Sequence, residues 1–94
     1  MIIQLTGTFS IFLSNHAILQ IEKRKIQTSW IKEAFINPIK IELDPKDPQL
    51  KWTFGQVKGQ DGSIRVLKVV YKDSVTLFKV ITLHFDRNAK RKLL

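Results

Sequence analysis

Two histidines, His16 and His84, are the only side chains of this chain whose ordinary pKa lies near neutrality, so any proton transfer at physiological pH falls to them first. The cations Arg65, Lys79 and Arg87 are placed to hold a phosphate, arginine being the better suited to two-pronged contact. Tyr71 adds a phenolic donor. On an extended segment 63–72, alternation puts Arg65, Leu67, Val69 and Tyr71 on one face. On a segment 75–85 it puts Phe78, Val80, Thr82 and His84 on one face and Lys79 on the other. Consecutive antiparallel strands bring the start of the first beside the end of the second. Arg65 and His84 are therefore expected to share a site, with Arg87 just beyond it.

A second polar stripe starts nearer the N-terminus. In "SNHAILQIEKRKI" (14–26), His16, Gln20 and Arg24 recur at helical spacing beside an apolar face of Ala17, Ile18 and Ile21. Structural readings compete with chemical ones here. His16 on a first helical turn is also suited to bonding a neighbouring strand. Arg24, bordering the apolar face, is suited to lying its stem along that face or pairing with an anion. Trp30, Trp52 and Phe54 read as core rather than as base-stacking platforms.

Charge points to the partner class. Sixteen Lys and Arg against eight Asp and Glu give a formal net charge of +8, a field that attracts nucleic acid or an acidic protein. Arg24, Lys68, Lys79, Lys90 and Arg91 are the candidate RNA-contacting cations, and 87–94 reads as a basic, solvated tail. The absence of cysteine excludes a disulfide framework and a thiolate metal site. Two distant histidines do not make a zinc site, and no Gly-rich phosphate loop or nucleophile elbow is present, so neither metal nor cofactor is expected. The apolar opening "MIIQLTGTFSIFLSN" lacks a basic leader and is too short to cross a bilayer, which points to a cytoplasmic protein without a membrane partner.

These residues must be positioned by one domain of 94 residues. Residues 2–13 predict a strand, and Ser14 offers the N-cap of a helix over 15–25. Thr28 or Ser29 can cap a second helix, which the Asn37-Pro38 pair ends. The pattern then switches to period two: Ile39, Ile41 and Leu43 alternate with Lys40 and Glu42, "DPKDP" turns the chain, and "LKWTFGQVK", "SIRVLKVVYK" and "VTLFKVITLHF" follow as strands. The expected fold class is α+β: two N-terminal helices packed on one side of a twisted antiparallel sheet, with an additional N-terminal strand.

The segment "FLSNHAILQIEKRKIQTSWIKEAFINP" resembles the opening of a family of small prokaryotic domains of unknown function, similar to BrnT toxins and more remotely to the RelE/ParE toxin superfamily. Ser14, His16, Ala17, Arg24, Ile26, Ala34, Asn37 and Pro38 carry the likeness, and "FGQV", "IRVLKVVY" and "KVITLH" continue it. Gln20 stands where an arginine is usual, and His84 and Phe85 stand where BrnT-type toxins carry arginines. The resemblance implies a RelE/BrnT-like fold and a toxin–antitoxin context. It also implies metal-independent mRNA cleavage and an acidic antitoxin covering the site; from their own chemistry, His84, Arg65, Arg87 and His16 are the candidate catalytic residues. In such a reaction a base helps the ribose 2′-OH attack the phosphate, and cations stabilise the charge that develops. The alternative is a non-catalytic RNA- or protein-binding module on the same fold. A homodimer pairing through the 2–12 edge is a further expectation.

Overall fold

The computed structural model describes residues 1–73 and 77–94. The elements run β1 (Ile2–Gln4), β2 (Ser10–Leu13), α1 (Asn15–Arg24), α2 (Thr28–Ile36), β3 (Lys40–Leu43), β4 (Leu50–Lys58), β5 (Ile64–Lys72), β6 (Phe78–Phe85) and α3 (Arg87–Leu93). The six strands form one sheet in the order β1-β2-β6-β5-β4-β3. The α+β class expected from the sequence is the one observed, with three corrections.

The sheet is mixed rather than antiparallel, because β2 runs parallel to β6, pairing Ile11 with Phe78 and Leu13 with Val80. The N-terminal segment is also two short antiparallel strands, not one. The chain can join the parallel pair because α1, α2 and strands β3–β5 intervene, which gives the long crossover that parallel strands require.

The second correction concerns α2. Gln27, not Thr28 or Ser29, is its N-cap, and no side chain bonds the free N–H groups there. Packing carries this helix instead. Ile31 and Ala34 are buried, and the Thr53 hydroxyl donates to the Ala34 carbonyl. Gly55 lies so close beneath α2 that a Cβ there would stand 2.8 Å from Ala34 Cα. At the other helix the expectation holds: the Ser14 hydroxyl accepts from Ala17 N–H (3.1 Å) and donates to the Ile81 carbonyl (2.9 Å), so one side chain caps α1 and ties it to β6.

Third, residues 87–94 are not a frayed tail. Asp86 accepts from Ala89 N–H (2.9 Å) and caps α3, while the Asp86 N–H donates to the Val66 carbonyl (2.8 Å). Ala89 and Leu93 pack on Phe54 and Val66. The sheet is thus covered by α1 and α2 on one face and in part by α3 on the other. The main core, between the sheet and the helix pair, includes Ile11, Leu13, Ala17, Ile31, Leu67, Val69, Val80 and Leu83.

The register of β5 and β6 decides which side chains meet. Leu67 pairs with Phe85, Lys68 with His84 and Val70 with Thr82, but Tyr71 then pairs with Val80, so Ile81 is a bulge. The expected junction through Ser74 and the expected strand start at Val75 and Thr76 lie outside the described residues.

Candidate functional site

Five cations gather where β5 begins and β6 ends. An open cleft of about 880 Å³ there is lined by Arg24, Arg65, Arg87, Lys90 and Arg91, with Asp61 and Asp86 as the acidic side chains among the described residues that line it. Each cation reaches it for a structural reason. The α1 helix delivers Arg24 in its last turn, where the Gln20 side-chain oxygen Oε1 accepts from Arg24 Nε (2.8 Å). Strand β5 delivers Arg65, whose guanidinium carbon lies 5.0 Å from the centre of the Phe85 ring. Phe85 is itself braced edge-on by Trp30, 5.9 Å away. In α3, Arg87, Lys90, Arg91 and Leu94 fall at helical spacing on the cleft side, while Ala89 and Leu93 face the sheet.

The two carboxylates are engaged. Asp61 accepts from the Ser63 hydroxyl (2.7 Å) and N–H (3.0 Å), closing the β4–β5 turn in which Gly62 adopts a φ of +83°. These two bonds, with a smaller contribution from Arg65, hold the Asp61 carboxyl below its usual pKa. Asp86 is occupied as the α3 cap. A second groove of about 460 Å³ shares Arg24, Asp61, Ser63, Arg65 and Phe85 and continues past Lys25, Gln27 and Trp30. Together they make a continuous basic track, suited to a polyanionic chain.

His84 lies on the other face of the sheet. Its partner across the strands is Lys68, and residues three apart on β5 face opposite ways, so Arg65 and His84 are not side by side as the sequence suggested. The bulge also divides the expected run: Val80 turns into the core with Tyr71, while Thr82 and His84 remain on the opposite face. The same shift moves Lys79 to the His84 face, but at the far end of β6, where it lies 5.8 Å from the Phe12 ring. Tyr71 is buried against Phe35 and Phe78, so it is a core residue rather than a donor at the cleft.

Around His84 a smaller constellation forms. The Lys68 ammonium sits 3.4 Å from the centre of the Trp52 ring, and Trp52 Nε1 donates to Asp44 (3.0 Å). Half-burial pushes the His84 pKa below its usual value. Lys68 adds to this, Asp86 opposes it, and Arg24 contributes a further small decrease. Both of the leading effects favour the neutral imidazole. His16 is exposed on the first turn of α1 and lines neither groove. The bond to the neighbouring strand expected of it is made by Ser14.

Residues 13–84 match the family described as a domain of unknown function, DUF4258. The chain belongs to this family. The match takes in Arg24, Arg65, Lys68 and His84. The α3 cations Arg87, Lys90 and Arg91 lie outside it. No curated protein and no solved structure matches the chain. Among the described residues, no helix of this DUF4258 domain is long and apolar enough to cross a membrane.

The sequence pointed to Arg65, Arg87, Arg24, Lys90 and Arg91, and the fold brings these five together. It did not point to Phe85 as the surface on which Arg65 rests, nor to Asp86 as the residue that folds the basic segment onto the sheet. The signal for Asp86 was present, an aspartate followed by Arg87, Lys90, Arg91 and Leu94 at helical spacing, whereas the Phe85 contact depends on strand register.

Proposed function

We propose that this DUF4258 domain binds the phosphate backbone of single-stranded RNA along the cleft formed by α1, the β4–β5 turn, β6 and α3. The observation that carries this reading is the gathering of Arg24, Arg65, Arg87, Lys90 and Arg91 around one open cleft whose two carboxylates are tied up in local hydrogen bonds. Arginines near Phe85 and Trp30 provide both phosphate contact and flat surfaces for bases. The order of a helix pair followed by a strand meander supports the RelE/BrnT-like arrangement that the resemblance implies. In that context an acidic antitoxin would occupy the same cations and compete with RNA.

A single strand contacting about three of these cations should bind with a log–log salt slope of roughly −2, at about 0.7 per phosphate. The test is fluorescence anisotropy of a labelled single-stranded RNA in EDTA over a salt series. The double variant Arg65→Gln/Arg87→Gln should bind more weakly and lose up to about 1.4 units of slope, at about 0.7 for each contact removed. Wild-type protein that does not bind, or a double variant with unchanged affinity and slope, refutes the reading.

One observation favours a second reading, in which an RNA strand lies instead on the opposite, Trp52–Lys68–His84 face of the sheet and is cleaved there without metal. There His84 stands across from Lys68, and half-burial lowers its pKa, which favours the unprotonated form that a base accepting the 2′-OH proton needs. The 2′-oxygen then attacks phosphorus as the P–O5′ bond breaks, the imidazolium returns its proton to the departing 5′-oxygen, and a 2′,3′-cyclic phosphate remains. Denaturing gels of the anisotropy samples read this directly. His84→Ala should reduce cleavage by about a hundredfold while leaving affinity intact. Uncleaved RNA, or equal cleavage by both proteins, leaves a binding module.

A further inference from the structure

We propose that β3 pairs edge to edge with β3 of a second copy of this chain, across a two-fold axis passing through Ile41. β3 is an outer strand of the sheet. The Asp44 N–H donates to the Leu50 carbonyl (3.0 Å), in line with the pairs Glu42–Trp52 and Leu43–Lys51. Hydrogen-bonded and open pairs alternate along an antiparallel ladder, so residues 42 and 44 bond inward. Ile41 and Leu43 consequently turn their N–H and C=O groups to the open edge. Their side chains are exposed too, at 53% and 67%, and Ile36 at the end of α2 is 49% exposed. Apolar side chains and outward backbone groups thus coincide on one edge, the combination that invites another strand.

Charge selects the second copy as that strand. Lys40 and Glu42 form an ion pair along β3 (2.9 Å). With Ile41 opposite Ile41 of the partner subunit, Lys40 stands across from the partner's Glu42, and Glu42 across from the partner's Lys40. Directly opposed unlike charges stabilise a strand pair. The neighbouring symmetric registers do not share this property. Centring on Glu42 opposes two carboxylates, and centring on Leu43 sets Glu42 against the partner's Asp44. Pro38 and Pro45 bracket the segment and confine the pairing to it. No β3 residue lines the basic cleft, so a dimer leaves both RNA tracks open and does not depend on the RNA reading.

Sedimentation velocity over a concentration series reaching the low millimolar range tests this, with circular dichroism confirming the fold of each variant. The wild-type chain should sediment as a dimer. Ile41→Pro removes an N–H that the monomer does not use, and Glu42→Lys opposes lysines; each should weaken dimerisation at least about tenfold. The swap Lys40→Glu/Glu42→Lys should restore it. A wild-type chain that stays monomeric leaves the edge to a strand of a different protein and overturns the proposal. A dimer indifferent to Ile41→Pro and Glu42→Lys, or a swap that fails to recover it, overturns it equally.

Discussion

The Gly55→Ala substitution probes the seat of α2, on which the Trp30–Phe85–Arg65 stack depends. A Cβ at Gly55 would lie 2.8 Å from Ala34 Cα, 2.9 Å from its Cβ and 3.0 Å from its N. Two of these three are backbone atoms, so no rotamer change relieves the clash and the helix must lift. Overpacking of this kind costs about 1–3 kcal/mol. Lifting α2 also weakens the Thr53–Ala34 hydrogen bond, at about 1 kcal/mol. Alanine's lower unfolded-state entropy returns about half a kcal/mol. The expected loss is about 3 kcal/mol, a fall in Tm of roughly 15 °C for a domain of this size. Urea unfolding followed by tryptophan fluorescence measures it. Ala34→Gly removes the atom at 2.9 Å, so combining the two should recover about 1 kcal/mol relative to additivity. A Gly55→Ala protein within about half a kcal/mol of wild type would show that α2 is not seated on β4 in this way.

Four further outcomes follow from single contacts. Ser14→Ala removes both the α1 cap and the bond to Ile81, and should cost about 2 kcal/mol by chemical denaturation. Asp86→Ala uncaps α3 and should cost about 1 kcal/mol; it should also weaken RNA binding by scattering Arg87, Lys90 and Arg91, although it removes a negative charge. Lys25 ends α1 in the left-handed region at a φ of 53°, so Lys25→Gly should raise stability by about 1 kcal/mol. Because the folded pKa of His84 is depressed, the unfolded chain binds the extra proton. Stability is therefore complete above the unfolded value of about 6.5 and falls with pH through the window below it. Urea midpoints between about pH 7.5 and pH 5 should show this fall, and His84→Gln should flatten it.

The helices α1 and α2 were legible because local rules fix them: an apolar stripe, the Ser14 cap and the Asn37-Pro38 stop. The strands β3–β6 were legible from alternation and turn residues. The parallel β2–β6 pair was not, since pairing between residues 11–13 and 78–80 is set by tertiary packing and leaves no local mark. The Ile81 bulge was equally silent in sequence, and by shifting the face of every residue before it, it changed which side chains accompany His84. The segment 87–94 looked like a solvated end because it is short and basic. Its two sheet-facing residues, Ala89 and Leu93, are what dock it. Five of the candidate cations were therefore found in the sequence, while the separation of His84 from Arg65 emerged only from register.

The most direct test of the RNA-binding account is an NMR titration of the isotope-labelled chain with a short single-stranded RNA, following backbone amides. The account predicts shifts concentrated at Arg24, residues 61–66 and residues 85–91, with the Arg65 and Arg87 guanidinium signals moving with them. Shifts confined to the Trp52–Lys68–His84 face or to β3, or none at saturating RNA, would contradict it.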